Sequence, residues 1–144
     1  MVKKRSTGNA GGGGERASEQ APLVAIVDDD ASWRQSTDRL IRTFGWRAQV
    51  FGSGEEFLIS GAADQATCLL LDVRMPGMHG LEVQRRLAAS GARIPIVFIT
   101  GRASEEEERR ARSAGAVEFL RKPVAWTSLR QAIENAIRAK ARGD

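Results

Sequence analysis

The chain has 144 residues, of which 42% are hydrophobic and 28% charged, and its formal net charge is +4. That length accommodates one domain with a complete core but hardly two, and no apolar run approaches the roughly 18 residues of a membrane span. The single cysteine, Cys68, excludes an internal disulfide and fits a reducing compartment. The basic N-terminus lacks the apolar stretch of a signal peptide, so we expect a cytoplasmic protein without membrane contact.

Residues 1–21 are predicted to form a flexible, basic, glycine-rich tail, because they contain the run Gly11–Gly14 and almost no apolar side chains. The run Lys3–Arg5 could contact an anionic surface, but a solvated tail is the simpler interpretation. A folded domain is predicted over residues 22–141, followed by a short C-terminal tail at 142–144. Since the positive charge is not concentrated in a patch with interleaved aromatics, no direct contact with nucleic acid is expected.

Short apolar runs alternate with helical patterns along the folded part of the chain. The runs predict five strands, at Leu23–Val27, Trp46–Phe51, Cys68–Leu71, Ile96–Ile99 and Val117–Leu120. Periodicity and capping patterns predict five helices: Trp33–Phe44, one from Ser53 through Leu58, Leu81–Ala89, one opened by Ser104, and one from about Trp126. This alternation predicts an α/β fold, a doubly wound sandwich of parallel strands joined by crossover helices.

The fourth helix is predicted to have a strongly charged surface. It begins with the capping-box pattern of Ser104 and Glu107. Three i, i+4 pairs in the favourable order follow, at Glu105–Arg109, Glu106–Arg110 and Glu108–Arg112. Each pair stabilises a helix by only a few tenths of a kcal/mol, roughly. A solvated face is therefore the simplest interpretation, and a partner-docking surface is the second.

Four predicted strands end in polar residues at the same edge of the sheet. These are Asp28-Asp29-Asp30, Asp72, Thr100 and Lys122. Adjacent carboxylates are hard oxygen ligands suited to a divalent ion such as Mg²⁺ or Mn²⁺. A carboxylate beside such an ion can attack phosphorus to form an acyl phosphate, and the transfer needs cationic groups and donors around the phosphoryl oxygens. Each residue alone is weak evidence, but together they predict a phosphoryl-transfer site.

Four stretches resemble the receiver domain of two-component response regulators, in the FixJ-like subgroup. They are Ile26–Asp30, Leu71–Met78, Ile94–Gly101 and Ala114–Pro123, and the resemblance extends over roughly residues 22–141. It implies a flavodoxin-like receiver fold, with a five-stranded parallel sheet of order 2-1-3-4-5 and helices on both faces. Ligands of such sheets bind at the switch point beside the first and third strands.

The resemblance also implies a metal site and a phosphoacceptor. By that resemblance, Asp72 accepts the phosphoryl group and also contacts the metal ion. Asp28 and Asp29 form the acid pair, with Asp29 the more direct metal ligand and Asp28 acting largely through water. The backbone carbonyl of Arg74 supplies a further oxygen to the metal.

Further residues are implied to respond to the phosphoryl group. Thr100 and Lys122 would contact it, and Phe119 matches the aromatic switch residue that turns inward when Thr100 moves. The Lys122–Pro123 bond is expected to be cis, as X-Pro chemistry permits. This state change would alter a surface on the fourth helix, fifth strand and fifth helix.

Two departures from the family pattern stand out. His79 occupies a position where the family usually has Asp or Asn, and because His caps poorly we expect a slightly frayed start to the third helix. A phosphohistidine role for His79 is less favoured than an exposed loop residue. Arg74 and Arg102, two residues after Asp72 and Thr100, could lengthen the lifetime of the acyl phosphate; two solvated arginines are the alternative.

The expected donor is a sensor histidine kinase or phosphotransfer protein, or a small acyl phosphate, and the downstream protein target is unknown. A homodimer could form through the fourth helix, fifth strand and fifth helix. The domain would catalyse its own phosphorylation and slow autodephosphorylation without being an enzyme.

Two alternatives remain: an aspartate-nucleophile phosphatase, which would need an acid at the position of Arg74, and a docking module that is not phosphorylated. After the last helix no helix-turn-helix pattern follows, so we expect a stand-alone receiver or a fragment.

Overall fold

A computed structural model describes residues 20–143, so the predicted tail at 1–21 lies almost entirely outside the described residues, as does Asp144. Five parallel strands form one sheet in the order β2-β1-β3-β4-β5, which confirms the predicted fold class. The strands are β1 (Leu23–Val27), β2 (Arg47–Phe51), β3 (Cys68–Leu71), β4 (Ile96–Thr100) and β5 (Glu118–Arg121). Each lies within a residue or so of its predicted bounds.

Five α-helices connect and follow the strands. They are α1 (Ala31–Thr43), α2 (Gly54–Ser60), α3 (Gly80–Ala89), α4 (Glu105–Ser113) and α5 (Trp126–Ala141). A short 3₁₀ helix at Ala62–Asp64, which the sequence patterns did not predict, follows α2. Within residues 20–143, none of the helices has the length and apolar character needed to cross a bilayer.

The core consists of two apolar layers, one on each face of the sheet. Strands β1, β3 and β4 are buried along their whole length, as expected for parallel strands covered on both faces. Side chains at alternate positions face opposite layers: Leu69 and Leu71 pack with α2 and α3, whereas Leu70 packs with α1 and α5. Cys68 is fully buried in the second layer, where it serves as a small core residue.

The start of α3 differs from the expectation. The predicted fraying is not observed, because His79 Nδ1 accepts a hydrogen bond from the Leu81 backbone N–H at 3.2 Å. His79 Nε2 lies 3.1 Å from Glu107 Oε2, and this second contact fixes the ring in the capping orientation. A histidine can therefore replace the usual carboxylate cap when a second element holds its ring.

The charged surface of α4 is also arranged differently in detail. The capping box of Ser104 and Glu107 is present. Of the predicted i, i+4 pairs, Glu108–Arg112 forms at 3.1 Å, whereas Arg109 pairs with Glu106, three residues before it. Only Ala111 of the nine residues in α4 is buried, so this helix has little apolar anchorage.

Gly80 allows α3 to begin directly against the backbone that follows β3. Its N–H donates to the Val73 carbonyl at 2.7 Å. A Cβ at this position would lie 2.2 Å from the Asp72 carbonyl oxygen and 3.0 Å from Val73 Cα. Since backbone cannot move aside as a flexible side chain can, the close approach of α3 to Asp72 requires glycine.

We predict that Gly80→Ala destabilises the domain by about 1–3 kcal/mol through overpacking. This cost exceeds the gain of up to about 1 kcal/mol that alanine gives over glycine in a helix. Urea denaturation measures the difference in the free energy of unfolding between the variant and the wild type. Gly101→Ala is the matched control, because its Cβ would meet only Lys122 Cδ at 3.9 Å. Equal unfolding free energies for the two variants would contradict the packing argument.

Candidate functional site

The polar residues predicted at the strand ends come together in the structure. Asp28 follows β1, Asp72 follows β3, Thr100 ends β4 and Lys122 follows β5. One carboxylate oxygen from each of Asp28, Asp29 and Asp72 lies within 4.8 Å of the other two. These residues line a cavity of about 340 Å³ that is also lined by Asp30, Arg74, Gly101 and Arg102. The site thus lies at the carboxyl edge of the central strands.

Asp28 is buried and its charge is compensated. Its side chain is only 1% exposed, Oδ2 accepts from Lys122 Nζ at 2.7 Å, and Oδ1 accepts from the Asp30 N–H at 2.9 Å. The Lys122 ammonium also lies 4.5 Å above the centre of the Trp33 ring, a cation–π contact that sequence reasoning missed. Asp30 caps α1 by accepting from the Trp33 N–H at 3.1 Å, so it has a structural role.

Asp72 is much less well compensated than Asp28. Its Oδ2 lies 4.0 Å from Lys122 Nζ, and its buried Oδ1 has no hydrogen-bond partner among the described residues. Burial raises the pKa of Asp72, and the neighbouring charge of Asp28 raises it further. The nearby Thr100 hydroxyl, the Lys122 ammonium and the Arg74 backbone N–H act in the opposite direction but do not cancel the rise. An unpartnered buried oxygen beside two other carboxylates is an arrangement that a divalent cation fits.

The two predicted switch residues lie on β4 and β5. The buried Thr100 hydroxyl donates to the Arg102 carbonyl at 2.7 Å and accepts from the Arg102 N–H at 3.1 Å, which closes the loop after β4. Phe119 is 6% exposed and lies in the inward position, with its ring centre 5.8 Å from that of Phe98. The Arg121 guanidinium covers the outer side of the Phe119 ring at 5.4 Å. The Lys122–Pro123 peptide bond is cis.

Arg74 and Arg102, which both line the cavity, have different surroundings. Arg74 donates from Nη2 and Nε to Glu107 Oε1, at 3.0 and 3.3 Å. The Arg102 guanidinium makes no hydrogen bond or ion pair with any other residue in the part of the chain that is described. The Arg74 guanidinium is therefore bound to Glu107 of α4, whereas the Arg102 guanidinium could contact a group bound in the cavity.

Glu107 is a contact residue that sequence reasoning assigned only to capping. It accepts from the Ser104 N–H at 2.8 Å as well as from Arg74 and His79. The Ser104 hydrogen bond, with those from Arg74 and His79, lowers the pKa of Glu107 to about 2. Because Arg74 and Glu107 are 33 residues apart, no local pattern could have revealed their contact.

The raised pKa of Asp72 predicts a pH-dependent cost to stability. Folding disfavours the ionised carboxylate, so the loss of stability is complete above the folded-state pKa of Asp72 and disappears below its unfolded-state pKa of about 4. In metal-free buffer, Asp72→Asn should therefore raise Tm at neutral pH, by about 4 °C for each kcal/mol of relief. The gain should vanish on acidification. Differential scanning calorimetry checks this, with exposed Asp64→Asn as the control; a lower Tm for Asp72→Asn at neutral pH would refute it.

Comparisons with known proteins agree with this fold. The family model of the response regulator receiver domain matches residues 24–134. Nodulation protein W of Bradyrhizobium diazoefficiens is 42% identical over 123 residues, which cover 85% of this chain and 54% of the relative. The transcriptional regulatory protein FixJ of the same organism is 35% identical, over 80% of this chain and 56% of the relative.

A solved structure described as FixJ-N has a TM-score of 0.75 and 35% identity to this chain, and the match covers 83% of this chain and 95% of that one. The present chain spans about half the length of the curated relatives that it matches. The family match covers more than half of the chain, and the order of the strands and the placement of the helices agree with it. The chain therefore belongs to the response regulator receiver domain family, and its relatives include FixJ.

Proposed function

We propose that this chain is a phosphoacceptor domain in which Asp72 receives a phosphoryl group. The observation that carries the proposal is the state of the Asp72 carboxylate, whose buried Oδ1 has no hydrogen-bond partner among residues 20–143. The Asp72 carboxylate also belongs to an acid cluster with Asp28 and Asp29, and its other oxygen, Oδ2, lies 4.0 Å from the Lys122 ammonium. A carboxylate held in this way is unsatisfied until a cation and a transferred group complete its surroundings.

Asp28, Asp29 and Asp72 would hold the divalent cation, Mg²⁺ or Mn²⁺, and the backbone carbonyl of Arg74 would add a further oxygen. When bound, the ion offsets the negative charge of the carboxylates and of the phosphoryl oxygens. Exposed Asp29 is the member of the set that faces solvent, so it suits direct contact with the ion, whereas Asp28 is already engaged with Lys122.

The chemical step follows from the same residues. An Asp72 oxygen forms a bond to phosphorus while the phosphorus–nitrogen bond of a donor phosphohistidine breaks; its electron pair passes to the imidazole, which takes up a proton. Lys122, which Asp28 and Trp33 hold in position, neutralises charge on the transferred group. Thr100 would have to release the Arg102 carbonyl before its hydroxyl could donate to a phosphoryl oxygen. Thr100 and Phe119 would act as the switch pair, and Phe119 already lies inward.

The surroundings of the domain complete the proposal. The folded receiver would occupy residues 22–141 between two tails, in the cytoplasm. A sensor histidine kinase or phosphotransfer protein would act as donor, and a downstream protein would recognise the changed surface, with a homodimer through α4, β5 and α5 as one form of output. The domain would catalyse its own phosphorylation from small donors and its own slow autodephosphorylation.

We predict that acetyl phosphate with Mg²⁺ adds one phosphoryl group to the protein and that Asp72→Asn abolishes the addition. Intact mass spectrometry measures it. Asp30→Asn is the matched control, because Asp30 lines the same cavity but serves as a helix cap, and Asn caps as well as Asp. A phosphoryl group retained in Asp72→Asn, or turnover of donor without accumulation, would reject the assignment and favour a phosphatase. No reaction in any variant would favour a docking module.

We predict that Arg102→Ala shortens the lifetime of the phosphorylated protein by about two- to fivefold. The Arg102 guanidinium, which has no partner among residues 20–143, can meet the phosphoryl oxygens with charge-assisted hydrogen bonds, and its exposure keeps the effect modest. The decay of the phosphorylated mass after donor removal gives the rate. Arg109→Ala, on the exposed face of α4, should leave the decay unchanged. An unchanged lifetime in Arg102→Ala would show that this arginine is only solvated.

A further inference from the structure

Four residues form a polar cluster where three segments meet, and we call it the Glu107 cluster: Arg74, His79, Ser104 and Glu107. Arg74 belongs to the loop that carries Asp72, His79 caps α3, and Ser104 and Glu107 begin α4. The Glu107 carboxylate, with a side chain only 15% exposed, accepts from all three of the others. One side chain thus joins the phosphoacceptor loop to two helix starts.

The tautomer of His79 follows from its two contacts. Nδ1 accepts from the Leu81 N–H, so it carries no proton in this arrangement. The proton of the neutral ring is then on Nε2, which donates to Glu107 Oε2 at 3.1 Å. Neutral His79 therefore satisfies α3 and Glu107 at once, and no phosphohistidine role is needed to explain it.

Polar contacts position α4 to an unusual degree, because Ala111 is its only buried residue. On the α3 side, Gln84 Nε2 donates to the Ala111 carbonyl at 3.0 Å. On the β5 side, Arg121 pairs with Glu108 at 2.9 Å. Since little apolar area holds the helix, polar contacts fix its N-terminal end: those of Glu107 with Arg74 and His79, and that of Arg121 with the Ala103 carbonyl.

Arg74 lies between two acidic targets. It lines the cavity that contains Asp72, Thr100 and Lys122, and it also lines an adjoining cavity of about 560 Å³ that contains His79 and Glu107. Glu107 offers it one negative charge, whereas a phosphoryl group on Asp72 would carry about −1.5 to −2 and three strong acceptor oxygens. The Arg74 side chain is 46% exposed and can reorient without disturbing the core.

We propose that the Arg74–Glu107 contact is a conformational switch, which a phosphoryl group on Asp72 opens by drawing the Arg74 guanidinium away from α4. The proposal rests on the proposed function of Asp72. Glu107 acts here as a positioning residue, because it touches neither the phosphoryl group nor the metal and works through Arg74. Because the Arg74–Glu107 ion pair is partly exposed, it is weak, and a single phosphorylation can therefore break it.

A double-mutant cycle with a dynamic readout tests the switch in the full chain. Arg74→Gln, Glu107→Gln and the double variant are compared by hydrogen exchange of α4 amides. The side-chain amide oxygen that Glu107→Gln introduces can still accept from the Ser104 N–H, so the cap is preserved. Without donor, each single variant should exchange about two- to fivefold faster than the wild type. The double variant should exchange no faster than Glu107→Gln alone, which also weakens the contact with His79. After phosphorylation with acetyl phosphate and Mg²⁺, the wild type should reach the rate of Arg74→Gln.

Glu106→Gln is the matched control: it makes the same chemical change on the same helix, but Glu106 pairs only with Arg109 of α4 among the described residues. Its exchange should match the wild type. If the effects of the two single substitutions on α4 exchange add up in the double variant without donor, the switch proposal is wrong. It is also wrong if the two residues remain coupled in fully phosphorylated protein. Neither result would affect the proposed function. Absence of any phosphoryl mass gain would instead overturn the proposed function, and the switch would lose its trigger.

Discussion

The site depends on a shortage of positive charge: three carboxylates approach within 4.8 Å of one another, and Lys122 is the ammonium that reaches them. Lys122 lies 2.7 Å from Asp28, so that buried pair is satisfied and ties the end of β1 to the end of β5. Asp72 Oδ2 lies 4.0 Å from Lys122, its Oδ1 has no hydrogen-bond partner among residues 20–143, and its pKa is raised. The fold keeps Asp72 in this position. Gly80 lets the start of α3 pack against the Asp72 backbone, and the buried strands β1 and β3 hold the residues that follow β3 in place.

The rest of the molecule divides into a rigid part and a part that polar contacts hold. Strands β1, β3 and β4 are buried throughout and pack between two apolar layers, which fixes the positions of Asp28, Asp72 and Thr100. Helix α4 contributes only Ala111 to the core. On the proposed function, a change of charge at Asp72 would reach α4 through polar contacts without repacking of the sheet, because α4 is much less deeply buried than the central strands.

Much of this arrangement could be predicted from the sequence, because it follows from local patterns. Apolar runs such as Cys68–Leu71 define the strands, and the residues that follow them must meet at one edge of a parallel sheet. The contacts that could not be predicted join segments distant in sequence: Glu107 with Arg74, His79 with Glu107, and Trp33 with Lys122. For the same reason local patterns could not distinguish Arg74 from Arg102, and they did not indicate that His79 would cap α3 well once Glu107 held its ring.

On the proposed function, the Asp72 carboxylate should stay electrostatically unsatisfied until a cation binds beside it. A carbon-detected NMR titration of the aspartate side-chain carboxyls measures this directly, with and without saturating Mg²⁺. Without metal, Asp72 should titrate above the ordinary range of aspartate, because burial and Asp28 both disfavour its ionised form. With Mg²⁺, its pKa should fall markedly. An ordinary Asp72 pKa in the metal-free protein, unchanged by Mg²⁺, would contradict the account.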